Sequence, residues 1–78
     1  MAWITNFVVH DSSGRVQPSQ VTGFVKAFAT EDGDQVLQID TQGSPERENP
    51  GKQSQTIQIG REAARELFDI LKRTYRFQ

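Results

Sequence analysis

A single stretch of helical periodicity closes a chain that otherwise alternates like strands, and this imbalance constrains the fold more than any other feature. Apolar residues in the last third recur at i, i+3, i+4 and i+7, which predicts one helix over 61–75 with a buried stripe. The stripe comprises Ala64, Leu67, Phe68, Leu71 and Tyr75. Gly60 occupies the expected N-cap position. One helix covers one face of a sheet, so the other face must meet water, a ligand or a second copy.

The first two-thirds of the chain predict four strands, at about 3–9, 21–31, 35–42 and 54–59. Period-two alternation with β-branched and aromatic residues is typical of such segments. In the first strand the expected buried face is Trp3, Thr5, Phe7 and Val9. In the third strand we expect Leu37 and Ile39 to point inward, with Val36, Gln38 and Asp40 pointing outward.

The connections between these segments favour short, local pairing. Asp32-Gly33 between two alternating runs predicts a hairpin, with the positive φ angles of a type I′ turn. Residues 43–53 contain two prolines, two glycines and four charges, which predicts an exposed loop. The resulting fold class is α+β: a four-stranded antiparallel β-meander followed by one C-terminal amphipathic helix (ββββα), in a single small domain spanning 1–78.

Composition excludes several function classes. The 78 residues include no cysteine, which excludes a thiol nucleophile, a CxxC redox pair and a thiolate zinc site. A formal net charge of -1 excludes a uniformly basic nucleic-acid binder, although not a local basic face. No apolar run approaches the ~20 residues of a membrane-spanning helix, and the N-terminus has no basic leader. We therefore expect a cytoplasmic protein with no membrane partner.

Motifs that resemble catalytic or ligand-binding sites have the wrong spacing. His10-Asp11-Ser12-Ser13 places triad residue types side by side in a turn, whereas a triad needs residues that converge in space. The segment 31–34 lacks the spaced ligands of a calcium loop. Gly51-Lys52 is followed by Gln53 and a strand, which is not a phosphate-binding loop. The sequence predicts a non-enzymatic protein without metal or cofactor.

The charges and aromatics suggest one kind of ligand. Residues 1–45 hold two basic and five acidic residues, whereas residues 46–78 hold seven basic and five acidic ones. In the second predicted strand, Lys26 lies between Phe24 and Phe28 on one face. Rings that stack on bases, interleaved with a cation that meets phosphate, suit single-stranded nucleic acid. The competing interpretation is that both rings belong to the core.

The C-terminal half also carries a family resemblance. Pro50-Gly51-Lys52, the strand ending Ile57-Gln58-Ile59, and the helix that starts Arg61-Glu62-Ala63-Ala64 together resemble the positive cofactor four family. Members of that family are small single-stranded-DNA-binding transcriptional coactivators, in which four strands precede a C-terminal helix. The resemblance implies dimerisation through the helices and nucleic-acid binding by aromatic and basic strand faces. The chain is also similar to short uncharacterised bacterial proteins with the same Gly-Ser…Pro-Gly-Lys…Ser-Gln-Thr core.

Two functional hypotheses follow. In the first, the protein binds single-stranded nucleic acid. Lys26, Arg47 and Lys52 neutralise the backbone, while Phe24 and Phe28 stack on bases; of these residues only Lys52 lies within the family motif. In the second, the protein is an interaction module that docks a protein partner on its free sheet face or an edge strand. Under both hypotheses we expect a homodimer.

Overall fold

The computed structural model describes residues 1–42 and 53–78, which form four strands and one helix. The elements are β1 (Ala2–Ile4), β2 (Gly23–Ala29), β3 (Gln35–Gln42), β4 (Gln53–Ile59) and α1 (Arg61–Tyr75). The helix begins and ends at the predicted residues, with Gly60 in extended conformation at the N-cap. The described part of the chain is therefore α+β, with the helix last.

The sheet is mixed, with strand order β1-β4-β3-β2. The strands β2, β3 and β4 form the expected antiparallel meander. The prediction of a purely antiparallel sheet is wrong at β1, which pairs parallel with β4 in the register Trp3↔Gln58. Residues 5–22 contain no strand and separate β1 from β2, which lies at the opposite edge of the sheet. A connection of that length is a crossover rather than a hairpin, so it leaves the direction of β1 free.

The first strand is much shorter than predicted. It ends at Ile4, and the expected buried residues Trp3 and Val9 are 52% and 65% exposed. Phe7 is half-buried, and its backbone N–H donates to Glu66 Oε1 of α1 at 3.1 Å. The segment after β1 thus reaches the helix instead of extending the sheet.

The β2–β3 hairpin is confirmed, but its turn differs from the predicted type I′. The N–H of Gly33 donates to the carbonyl of Thr30 at 3.0 Å, and Thr30 N–H donates to Asp34 O at 2.8 Å. Gly33 has φ +88°, whereas Asp32 does not adopt positive φ. A tight turn followed by one left-handed glycine is the usual three-residue hairpin loop. Gly33 is therefore the position where a side chain would strain the backbone.

Cross-strand register divides the sheet into two chemically different faces. We call the first the apolar face; its strand residues include Ala2, Ile4, Val25, Ala27, Leu37, Ile39, Ile57 and Ile59. We call the second the aromatic face; its strand residues include Trp3, Phe24, Lys26, Phe28, Val36, Gln38, Asp40, Thr56 and Gln58. Alternation of side chains along each strand produces this division.

Burial is concentrated in a few residues at the sheet centre and the helix start. Val36, Ile59 and Ala63 are buried, and so are the polar residues Gln38 and Thr56. The prediction that Val36 and Gln38 point outward is therefore wrong, because they are more buried than Leu37 and Ile39, which are half-buried. As an inner strand, β3 has neighbours on both sides, so the side chains on both of its faces are partly shielded from solvent.

The apolar stripe of α1 is largely uncovered. The predicted burial of Phe68, Leu71 and Tyr75 is wrong: these side chains are 51%, 38% and 64% exposed. Ala64 and Leu67 are half-buried. The helix lies against β4 near its own start, so its later turns extend beyond the sheet. Within residues 1–42 and 53–78, no helix has the length and apolar character needed to cross a membrane.

Candidate functional site

Strand β2 places Phe24, Lys26 and Phe28 together on the aromatic face. These residues pair with Asp40, Gln38 and Val36 of β3. Phe24 is 45% exposed and Phe28 39% exposed, so neither ring is a core residue. Four residues of strand span about 13 Å, and Lys26 lies midway between the rings. The structure therefore joins three of the five predicted site residues on one accessible surface.

The remaining predicted site residues, Arg47 and Lys52, lie outside the described residues. Among the described strand residues of the aromatic face, Lys26 and Asp40 carry opposite charges. This part of the face is consequently neutral, so aromatic and amide groups dominate its chemistry.

A connected polar network crosses the middle of the aromatic face. Gln58 Nε2 donates to Gln38 Oε1 at 2.8 Å, and Gln38 Nε2 donates to both carboxylate oxygens of Asp40 at 3.0 Å. Thr56 Oγ1 also donates to Asp40 Oδ1, at 2.8 Å. Buried polar groups need such partners, because an unmade hydrogen bond there costs about 1–3 kcal/mol.

Asp40 sets the direction of every hydrogen bond in this network. A carboxylate only accepts, so Gln38 must present its Nε2 to Asp40 and its Oε1 to Gln58. Gln58 in turn must present Nε2 to Gln38. Its own Oε1 is left as an acceptor with no hydrogen-bond donor among the described residues. Gln58 is half-buried and lies next to Trp3 of β1 in the parallel register.

Trp3 forms the far edge of the aromatic face and depends on Gly60. A Cβ at position 60 would lie 3.2 Å from Trp3 Cη2 and 3.3 Å from Trp3 Cζ2. The missing side chain therefore lets the indole approach the junction between β4 and α1 closely. Trp3 and Gly60 both line a cleft of about 560 Å³, whose other lining residues include Val36, Ala63 and the carboxylate-bearing Asp32, Asp34 and Glu62. Arg61 lies at the same cleft.

The sequence interpretation missed Trp3, Gln38 and Gln58 as components of a surface. The sequence did carry a signal for the two glutamines. Gln38 and Asp40 lie two residues apart on β3, and Thr56 and Gln58 lie two residues apart on β4, so each pair shares one face of its strand. Polar residues at matching positions of two inner strands indicate a cross-strand network once the register is known. The register itself was not available from local pattern.

A smaller aromatic–basic cluster lies on α1. The Arg65 guanidinium and the Lys72 ammonium lie 5.5 and 5.4 Å from the centroid of the Phe68 ring. Arg65 also forms an exposed ion pair with Asp69 at 3.5 Å. Cations over an aromatic face contribute about 0.5–1 kcal/mol each at exposed sites. These contacts partly cover the exposed Phe68 ring and stabilise it on the helix surface.

In the described part of the chain, no three histidine, aspartate or glutamate side chains are grouped as a metal site would require. No family model, curated protein or solved structure matches this chain.

Proposed function

We propose that this protein binds single-stranded nucleic acid on the aromatic face of its sheet. The observation that carries the proposal is the row Phe24, Lys26 and Phe28, exposed on one side of β2. Two bases stack on the rings, and the phosphate between them meets the ammonium group. The face continues across Gln38 and Gln58 to Trp3, which offers a third ring. The proposed compartment is the cytoplasm, and the proposed role is non-enzymatic.

Binding of this kind depends moderately on salt. Each phosphate neutralised on a single strand contributes about -0.7 to the slope of log K against log salt. Three proposed contacts, from Lys26, Arg47 and Lys52, give a slope of about -2. Stacking of bases on the rings contributes the rest of the binding free energy, at about 1–3 kcal/mol for each base.

The test is a fluorescence-anisotropy titration of a labelled oligonucleotide at low and moderate salt. We expect binding at low micromolar protein, and Phe24→Ala and Phe28→Ala each weaken it about five-fold or more. Val25→Ala is the matched control, because Val25 is an exposed residue of the same strand on the opposite face. Absence of binding at low micromolar protein, or an equal loss in the control, overturns the proposal.

A second candidate function is docking of a protein strand on the edge of the sheet. The seven residues of β2 are all exposed, and β3 is the strand that pairs with them. An edge strand of this length offers backbone donors and acceptors to an added strand. Lys26 at its centre opposes edge-to-edge pairing between copies, since lysine on an edge strand is a common guard against it. Co-purification with one protein partner, together with no oligonucleotide binding, would favour this function over the first.

We also propose that the protein is a homodimer. Large apolar side chains on and after the helix are exposed, namely Phe68, Leu71, Tyr75 and Phe77. A second copy over this surface would remove them from water. Light scattering at high protein concentration should give twice 8.8 kDa, and a mass near 8.8 kDa contradicts the dimer.

A further inference from the structure

We infer that the row of Phe24, Lys26 and Phe28 on β2 prefers single strands whose bases stack weakly on one another, and therefore binds thymine-rich strands more tightly than adenine-rich ones. This inference rests on the proposed function, since it names the class of strand that the same residues bind. The selectivity needs no hydrogen bond to a base edge. It comes from the free energy that a strand loses when its own stack of bases opens to reach the rings.

The first step is the spacing of the two rings. Phe24 and Phe28 lie four residues apart on one face of β2, so their Cα atoms are separated by about 13 Å. Bases of a stacked strand follow one another at about 3.4 Å, and each inner base is covered on both sides by its neighbours. A base can therefore lie on a ring only where the stack of the strand is interrupted. A strand that continues past both rings is interrupted twice.

The second step is what a base gains in exchange for a lost neighbour. Phe24 is 45% exposed and Phe28 is 39% exposed, so each offers a partly accessible, single six-membered ring. Such a ring covers less of an adenine than a neighbouring adenine does, because adenine is bicyclic. Thymine stacks weakly on its own neighbours, so the same ring gives it a net gain. The exchange therefore favours thymine-rich strands.

The third step is the chemistry of the three β3 residues that pair with the row, namely Asp40, Gln38 and Val36. Gln38 is 9% exposed; its Nε2 donates to Asp40 and its Oε1 accepts from Gln58. Asp40 also accepts from Thr56, and Val36 has an apolar side chain. The polar groups beside the row are thus engaged with one another. Base identity then acts through stacking rather than through contacts to base edges.

The fourth step is the role of Lys26 between the rings. Its ammonium group is a point charge on a flexible stem, which meets the phosphates of any strand. Lys26 therefore raises the affinity for thymine-rich and adenine-rich strands by the same factor. The ratio of the two affinities is consequently a property of the rings alone.

The test is fluorescence anisotropy with labelled oligo(dT) and oligo(dA) of about 12 nucleotides, which is within the usual site size of single-strand-binding folds. We expect oligo(dT) to bind about five-fold more tightly, because adenine loses its own stacking and recovers only part of it on phenylalanine. A third strand of equal length alternates adenines with abasic sites. It keeps the edges of adenine but lacks adjacent bases to stack on, so it should bind more tightly than oligo(dA).

The variants Phe24→Ala and Phe28→Ala test whether the rings set the preference. Each should weaken oligo(dT) more than oligo(dA), so the ratio of affinities falls from about five towards one. Lys26→Gln is the matched control on the same strand, and it should weaken both strands by one factor and preserve the ratio. All three side chains are exposed, so these substitutions leave the buried part of the sheet unchanged.

The outcomes separate this inference from the proposed function. Equal affinities for oligo(dT) and oligo(dA), or tighter binding of oligo(dA), overturn the preference and leave the nucleic-acid function standing. No binding to any of the strands overturns both. A ratio that is unchanged in both phenylalanine variants overturns the assignment to the rings. Weaker binding of the alternating strand than of oligo(dA) overturns self-stacking as the cause.

Discussion

The two faces of the sheet share the same strands but differ in what stabilises them. On the apolar face, Ile59 is 3% exposed while Val25, across the sheet on β2, is 62% exposed. On the aromatic face the most buried positions include Gln38 and Thr56, which are polar and mutually connected through Asp40. The buried part of the apolar face is thus apolar, whereas the buried part of the aromatic face combines Val36, 5% exposed, with a hydrogen-bonded polar network.

The largest expected loss of stability comes from a substitution on the apolar face. Ile59→Ala should lower the free energy of unfolding by about 3 kcal/mol, because it removes a buried side chain and leaves a cavity. Val25→Ala on the same face should change it by less than about 0.5 kcal/mol, since Val25 is exposed. Urea denaturation of both variants measures the contrast. Similar losses in the two would mean that the apolar face is covered over β2 as well, as it would be by a second copy.

The next effect tests the network of the aromatic face. Thr56→Val keeps the shape of the side chain but removes the hydroxyl that donates to Asp40 at 2.8 Å. Thr56 is 6% exposed, so we expect a loss of about 1–2 kcal/mol in the free energy of unfolding. The same urea denaturation measures it. A neutral result would show that the carboxylate is satisfied without Thr56 and that this face does not depend on the network.

The sequence predicted the elements that depend on local signals and missed those that depend on long-range pairing. The helix over 61–75 was predictable because its period of 3.6 is a local signal, and Asp32-Gly33 marked the hairpin for the same reason. The parallel pairing of Trp3 with Gln58 was not predictable, because it joins residues far apart in sequence across a long connection. The sequence correctly predicted that side chains along β3 point alternately to the two faces of the sheet. The buried side of β3 was assigned wrongly, since a polar network can bury the side that hydropathy assigns to solvent.

The candidate site was predictable to a similar extent. Phe24, Lys26 and Phe28 lie on one strand, so their common face follows from period two alone. Gln58 and Trp3 become part of the site only through register, which depends on tertiary pairing. The sequence therefore predicted the three residues on β2 and missed Trp3 on β1, at the other edge of the aromatic face.

A smaller effect on stability is expected from a substitution that tests the contact between Trp3 and Gly60. Gly60→Ala places a methyl group 3.2 Å from the end of the indole, so the ring must shift rather than the backbone. We expect a change of less than about 1 kcal/mol in stability, because the backbone at position 60 is extended and accepts alanine. The chain has one tryptophan, so its fluorescence emission reports the shift directly. An unchanged emission spectrum would contradict the close contact between Trp3 and Gly60.

The smallest effect on stability is expected at Lys26, although it bears most directly on function. Lys26→Gln should change the free energy of unfolding by no more than about 0.5 kcal/mol, because Lys26 is exposed on an edge strand. It should also reduce the salt slope of oligonucleotide binding by about 0.7, the share of one phosphate contact. Lys72→Gln on α1 serves as a matched charge control, since Lys72 contacts Phe68 rather than the aromatic face. An equal loss of slope in both variants would mean that binding follows net charge rather than the row on β2. A loss confined to Lys26→Gln would identify the midpoint between Phe24 and Phe28 as the place where the backbone passes.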